Sequence, residues 1–414
     1  MKVVGFITEY NPFHLGHKYH LSKSRELTEA THTVAVMSSS FVQRGEPALI
    51  DKWTRAQMAI DNGVDLVIEL PFLYSVESAE FFAFGAVSIL NSLNVVDYIA
   101  FGSELGVIEP LIKVASILNE EPLYFKEILK KCLDSGMSYS ASRSFALDEY
   151  LKKTDKNDTI PYKEILKQSN NILGIEYLKA LQRLHSPIKP IAITRMGSNY
   201  NDIDITTSIP SATGIRNILY NQNLDSIENM IPEESSKYIK NFYSKYGMFN
   251  YLDNYSYIFE YLFRTLNPID LKKIIDMENG LENRILKSSM ESNKIEYTID
   301  KIMTKRYPKT RIKRILIHML ANLDKDTIRI AYSKPINYIR VLGSTQKGLE
   351  LLKKIKSNSD VFIITKFADY KSYKDDHMAF MLGYEEKATD LYYLGLKRDK
   401  PIVNMDYLMS PYIK

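Results

Sequence analysis

The chain has 414 residues, 45% hydrophobic and 25% charged, a globular composition that argues against disorder or low-complexity structure. Its 54 Lys and Arg against 50 Asp and Glu leave a formal charge of +4, too balanced to demonstrate a nucleic-acid partner but compatible with one if the charge is unevenly placed. The single cysteine, Cys132, excludes an internal disulfide and a Cys-based zinc site and suits a reducing cytoplasm. Thr8 and Glu9 interrupt the apolar start, and no run of about 18 apolar residues follows, so neither an export signal nor a membrane partner is expected.

This length suggests two or three domains. Through the first half, β-branched runs alternate with amphipathic stretches, the pattern of a parallel sheet with crossover helices. Strands are predicted at Val3–Thr8, Thr33–Met37, Leu66–Leu70, Tyr98–Gly102 and Pro190–Thr194. Helices are predicted at Tyr19–Thr28, Lys52–Asn62, Ala79–Leu93 and Asn170–Leu184, with a helical insert over about 105–155. Beyond Leu224 the pattern turns helical, with strand signals only at Tyr338–Leu342 and Val361–Ile364. The expected fold is α/β: a Rossmann-like catalytic domain over 1–225 and a mainly helical domain over 226–414.

The first strand runs directly into Glu9-Tyr-Asn-Pro-Phe-His14-Leu-Gly16-His17, which opens the first helix. In an α/β sheet that position binds nucleotides. Gly16 permits close backbone approach, the helix start offers free N–H groups, and His14 and His17 can donate to phosphate oxygens. Lys18 adds a cation in the same turn. Two plainer readings compete: His14, His17 and His20 as metal ligands, for which no fourth ligand is adjacent, or as ordinary histidines. No metal site is expected.

A second segment, Ile209-Pro-Ser211-Ala-Thr213-Gly-Ile-Arg216, precedes a predicted helix. Its hydroxyls and guanidinium suit the outer phosphates of ATP; alternatively Ser211 is a plain helix cap.

Taken with Phe41-Val-Gln-Arg-Gly-Glu-Pro-Ala48, Asp51-Lys-Trp-Thr-Arg55, Phe101-Gly-Ser103 and Ser169-Asn-Asn-Ile-Leu-Gly-Ile-Glu-Tyr177, these two segments make the chain closely resemble the tRNA(Met) cytidine acetate ligases, within the His-x-Gly-His nucleotidyltransferase superfamily. The resemblance implies ATP, used with Mg²⁺, bound by Ile7, Thr8, Glu9, Tyr10, Asn11, Pro12, Phe13, His14, Leu15, Gly16, His17, Lys18, Tyr19 and His20, by Gly102, by Asn170 or Asn171, and by Arg195. It also implies acetate as co-substrate, elongator tRNA(Met) as acceptor, and N4-acetylcytidine at the wobble position as product. Two positions depart from the family pattern: Leu15, where Asn is usual, and Ser39-Ser40, where a Gly-Asn type pair is usual.

Ser39, Arg44 and Lys52 lie near the expected carboxyl edge of the sheet, where they could hold acetate or leaving pyrophosphate; the competing reading is a solvated loop with an Asp51 cap. In the second half, Lys305, Arg306, Lys309, Arg311 and Lys313 fall in one basic run containing Tyr307, which suits RNA contact or, equally, a solvated helix face. No stable protein partner is evident. The rival functions are a nucleotidyltransferase acting on a small phosphorylated metabolite, and a catalytically silent RNA-binding protein.

Overall fold

The computed structural model describes residues 1–155, 160, 162–195, 211–221 and 224–414, with Lys163 described in its backbone alone. Ile209 and Pro210, which begin the second motif, lie outside the described residues. The strands are β1 (Val3–Thr8), β2 (His32–Ser38), β3 (Phe41–Val42), β4 (Glu46–Pro47), β5 (Leu66–Leu70), β6 (Tyr98–Ser103), β7 (Lys189–Thr194), β8 (Tyr338–Ser344), β9 (Phe362–Ile364) and β10 (Tyr412–Ile413).

The main sheet has the order β10-β8-β5-β2-β1-β6-β7, with β9 paired to β8, while β3 and β4 form a separate ribbon. Strands β5, β2, β1, β6 and β7 run parallel to one another, giving the expected Rossmann-like sheet. Their sequences explain this: β2 and β5 are buried along their whole length, as strands covered by helices on both faces must be. The helix Leu15–Thr28 connects β1 to β2, and Ala79–Ser92 carries the chain back from β5 to β6. Since β2 and β6 flank β1 on opposite sides, the strand order reverses at β1, and the crevice at its carboxyl end is where such sheets take ligands.

The insert forms the helices Glu109–Glu120, Leu123–Asp134 and Tyr139–Thr154. The second half is mainly helical, but the sheet does not stop at the expected division near residue 225. Strand β8 lies antiparallel on β5, and β10 extends it through Tyr412 opposite Gly343. An uncovered β5 edge would leave unpaired backbone groups, and β8, buried throughout, closes it. One apolar core runs through both halves. Among the described residues no helix is long and apolar enough to cross a membrane.

Candidate active site

The helix that follows β1 is capped by the histidines themselves. His14, in extended conformation at the N-cap, accepts the Gly16 N–H on Nδ1 at 3.0 Å; the His14 N–H is accepted in turn by His17 Nδ1 at 3.3 Å. A ring nitrogen that accepts carries no proton, so each neutral imidazole holds its hydrogen on Nε2. The rings stack with centroids 3.8 Å apart. Burial, with Arg195 and Arg216 nearby, lowers the His14 pKa to about 4, and burial with His14 itself holds His17 well below its ordinary value. At neutral pH the pair therefore presents two uncharged N–H donors, oriented by backbone bonds, at the carboxyl end of β1.

The second motif packs beside the first. Arg216 donates from Nη1 to the Asn11 carbonyl at 2.9 Å and from Nη2 to Thr213 Oγ1 at 3.2 Å, which ties the helix Ala212–Tyr220 to the histidine segment. Ser211 is that helix's N-cap, its Oγ accepting the Gly214 N–H at 3.2 Å. The capping and phosphate readings of Ser211 are thus compatible, because the hydroxyl hydrogen remains available to donate. Within the histidine segment, Tyr10, Pro12 and Phe13 are buried packing residues, while Lys18 is exposed. Asn11 accepts the Leu49 N–H at 2.7 Å, and its Nδ2 is buried without a partner among the described residues. Burial lowers the His20 pKa to about 4, and its ring packs edge-on against Phe6.

On the other side of β1, Arg195 follows β7 and donates to Asn170 Oδ1 at 3.2 Å. A Cβ on Gly102 would stand 3.4 Å from Arg195 Cγ, so glycine here leaves room for the arginine chain across the end of β6. The two asparagines separate in role. Asn171 is fully buried, its Oδ1 accepting from Ser103 Oγ at 2.7 Å and Glu104 N at 3.1 Å, its Nδ2 donating to Gln168. Asn170 is half-buried beside Arg195.

The loop residues expected to hold acetate or pyrophosphate are placed differently. The Lys52 ammonium is fully buried, 2.6 Å from Glu69, 2.8 Å from Asp406 and 3.4 Å from Glu385. Buried carboxylates compensate its charge there, and it is not available to a ligand. Ser39 is also sealed: its N–H donates to Ser75 Oγ at 3.2 Å, and its carbonyl accepts from Arg55 Nη2. Only Arg44 of the three is exposed. Arg55, which the sequence reading named in this loop without a role of its own, has a buried guanidinium that also donates to the carbonyls of Ile50 and Glu9, and so joins three loops at the sheet's edge. Its spacing inside the Asp51–Arg55 segment was the signal available.

The basic run is largely neutralised. Arg306 pairs with Glu278, Lys309 with Glu296 and Asp300, and Arg311 with Glu278. Lys313 lies between Glu46 and Glu296 at 2.8 and 2.6 Å, and is buried. Lys305 and Arg306 are exposed. Glu278 and above all Glu46 lie well outside the run, where a local charge count does not reach them.

A family model described as HIGH Nucleotidyl Transferase matches residues 1–404. The tRNA(Met) cytidine acetate ligase of Thermoanaerobacter sp. (strain X514) is 43% identical over 100% of both chains, and that of Clostridium perfringens (strain ATCC 13124) is 44% identical over 100% of both. The crystal structure of Thermotoga maritima TmcAL bound with alpha-thio ATP is 32% identical and superposes with a TM-score of 0.92, covering 100% of this chain and 99% of that one. The chain belongs to the tRNA(Met) cytidine acetate ligase family. Within that family's fold, the two departures noted in the sequence differ in setting: Leu15 is half-buried, and the Ser39-Ser40 pair is buried. Leu15 donates its backbone N–H to the Met230 carbonyl at 3.1 Å, and Ser40 is buried with its Oγ 3.4 Å from Thr389 on the helix Asp376–Leu394. Neither serine of the Ser39-Ser40 pair opens to solvent.

Proposed function

We propose that this chain is a cytoplasmic ATP-dependent ligase that activates acetate as acetyl-AMP and transfers the acetyl group to N4 of the wobble cytidine of elongator tRNA(Met). The observation that carries the reading is the pair of neutral Nε2–H donors on His14 and His17, held by backbone bonds and flanked by Arg195 and Arg216. Acetate attacks the α-phosphate and pyrophosphate leaves. As negative charge grows on the α-phosphate, donors already in place stabilise it without reorganisation. Neutral histidines serve here because they donate hydrogen bonds without giving up a proton.

Arg216, with Thr213 and Ser211, holds the outer phosphates, and Lys18 reaches them from the open face of the first turn. Glu46, whose Oε2 lies 3.7 Å from Arg216 Nη2, is the carboxylate on that side that would hold a Mg²⁺ ion arriving with the phosphates, and the ion would supply neutralising charge for the departing pyrophosphate. Arg195 and Asn170 bracket the nucleoside over Gly102, whereas the hydrogen-bonding groups of Asn171 are taken by Ser103, Glu104 and Gln168. The cytidine amine then attacks the mixed anhydride, releasing AMP. For tRNA docking, the exposed Lys305 and Arg306, with Lys309 and Arg311, offer backbone contacts.

Incubation with ATP, Mg²⁺, radiolabelled acetate and bulk tRNA, followed by nucleoside digestion, tests this. Label on a cytidine amine, with AMP and pyrophosphate formed, is the expected result. Label in a small phosphorylated metabolite, or no acetate-dependent ATP cleavage with any tRNA pool, overturns it.

A further inference from the structure

The carboxylate of Glu9 has no role in the steps above. It follows β1 directly, and the backbone turns sharply after it, Tyr10 being left-handed with φ 44°. Two bonds fix it: Oε1 accepts the Gln43 N–H at 2.9 Å, and the Glu9 carbonyl accepts from Arg55 Nη1 at 2.7 Å. Oε2 takes no hydrogen bond from any described residue, and Glu9 as a whole is half-buried. Glu9 stands at the carboxyl end of β1, in the crevice that opens onto the His14 segment.

A carboxylate repels a triphosphate, and it suits a neutral partner that donates hydrogen. The second substrate supplies one: cytosine's N4 amine is a donor, and Asp or Glu is the side chain that accepts from it. Resting on the proposed ligase reading, we infer that Glu9 Oε2 accepts an N4–H of the target cytidine and acts as the general base of the transfer step. As N4 attacks the acetyl carbonyl, the N4–C bond forms and the C–O bond of the mixed anhydride breaks. AMP leaves with that electron pair, and the N4 proton passes to Oε2 and then to solvent. Burial pushes the Glu9 pKa above the ordinary carboxylate range, against the Gln43 N–H and the charges of Arg216, Arg44 and Arg55; Tyr177, from the helix Ser169–Arg183, faces it as well. A raised pKa makes a better base, provided the group stays ionised at the working pH.

Glu9→Gln keeps the acceptor for Gln43 while removing the basic oxygen. In E9Q, single-turnover transfer from acetyl-AMP to tRNA should fall by at least ~10² more than acetate-dependent ATP–pyrophosphate exchange does, the usual range for a lost general base. The parent's transfer rate should decline on the acid side, and E9Q should lose that limb. Glu9→Asp, which retains a carboxylate, should restore part of the transfer rate, and serves as the reporting variant if E9Q is unfolded by circular dichroism. Exchange falling as far as transfer would assign Glu9 to ATP or its metal ion. Unchanged transfer would reduce it to a strut for Gln43. Absence of acetate-dependent exchange in the parent protein would instead defeat the ligase reading itself.

Discussion

Lys313 Nζ lies 2.8 Å from Glu46 Oε1, joining the helix Lys309–Ala321 to the loop beside the nucleotide site. The contact is close along the backbone too: Gly45 has φ +75°, and a Cβ there would stand 2.2 Å from the Arg314 nitrogen, so only glycine fits. The basic helix is therefore wedged against the loop carrying Gln43 and Arg44. Lys313→Ala leaves Glu46 and Glu296 without their shared cation and should lower stability by about 2 kcal/mol, less than a fully buried pair loses because both glutamates keep some water. Urea unfolding reads the loss directly. ATP–pyrophosphate exchange should fall with it as the loop loosens. Unchanged stability together with a tRNA salt slope reduced by about one would make Lys313 a phosphate contact instead.

His17→Ala should depress acetyl-adenylate formation by roughly 10² while ATP affinity changes little, since the Nε2–H acts where charge develops. Collapse of ATP affinity with normal turnover of the bound nucleotide would count against this role. The pH sign follows from His14. Its folded pKa of about 4 lies below the ordinary value of 6.5, so the unfolded chain binds more protons between those limits. The stability contribution is complete above 6.5 and is lost as pH falls through about 4. His20, also near 4, acts in the same direction. Adenylation should consequently show no histidine-dependent change between about pH 6.5 and 8, as far as these rings are concerned.

Glu77 reverses that sign. It is buried, its Oε1 lacks a hydrogen-bond partner among the described residues, and burial with Asp276 nearby pushes its pKa up to about 8. The folded state thus holds a proton that the unfolded state releases above its ordinary 4.5, and stability declines as pH rises from 4.5 through 8 by up to about 1.4 kcal/mol per pH unit. Glu77→Gln should remove that slope and be the more stable protein at pH 8.5. Thermal melts of both proteins from pH 6 to 9 decide it; parallel curves would show that Glu77 is ionised throughout.

Where local sequence carried the physics, the structure was legible. Val3–Thr8 was predicted to the residue, and the His14 and Arg216 segments were expected to share a site because each supplies phosphate-binding groups. Legibility failed where partners are remote. Lys52 reads as a free loop cation until Glu69, Glu385 and Asp406 close on it from three other elements. The run from Lys305 to Lys313 reads as a cationic face until Glu278, Glu296 and Glu46 are seen against it. Strand β8 was predicted as a strand, but its place on the β5 edge depends on pairing across some 270 residues, which periodicity does not encode.

The Asn170-Asn171 pair offers the sharpest test of the site, because adjacent identical side chains are assigned opposite work. Asn171 Oδ1 is the shared acceptor for Ser103 and Glu104 at the carboxyl end of β6. Asn171→Ala leaves the buried Ser103 hydroxyl and the part-buried Glu104 N–H without their acceptor, a change worth about 1–3 kcal/mol, and should appear as a lower Tm and urea midpoint. Asn170 is half-buried and bonded to Glu104 and to Arg195, whose chain crosses Gly102. Asn170→Ala should leave the urea midpoint nearly unchanged and raise KM for ATP by roughly ten-fold, equivalent to about 1.4 kcal/mol of lost binding. Its turnover should hold, because the contact is made equally in the ground and transition states. If Asn171→Ala raises KM for ATP at constant stability and Asn170→Ala does not, the two roles are exchanged, and the nucleoside sits deeper against β6 than Arg195 and Asn170 place it.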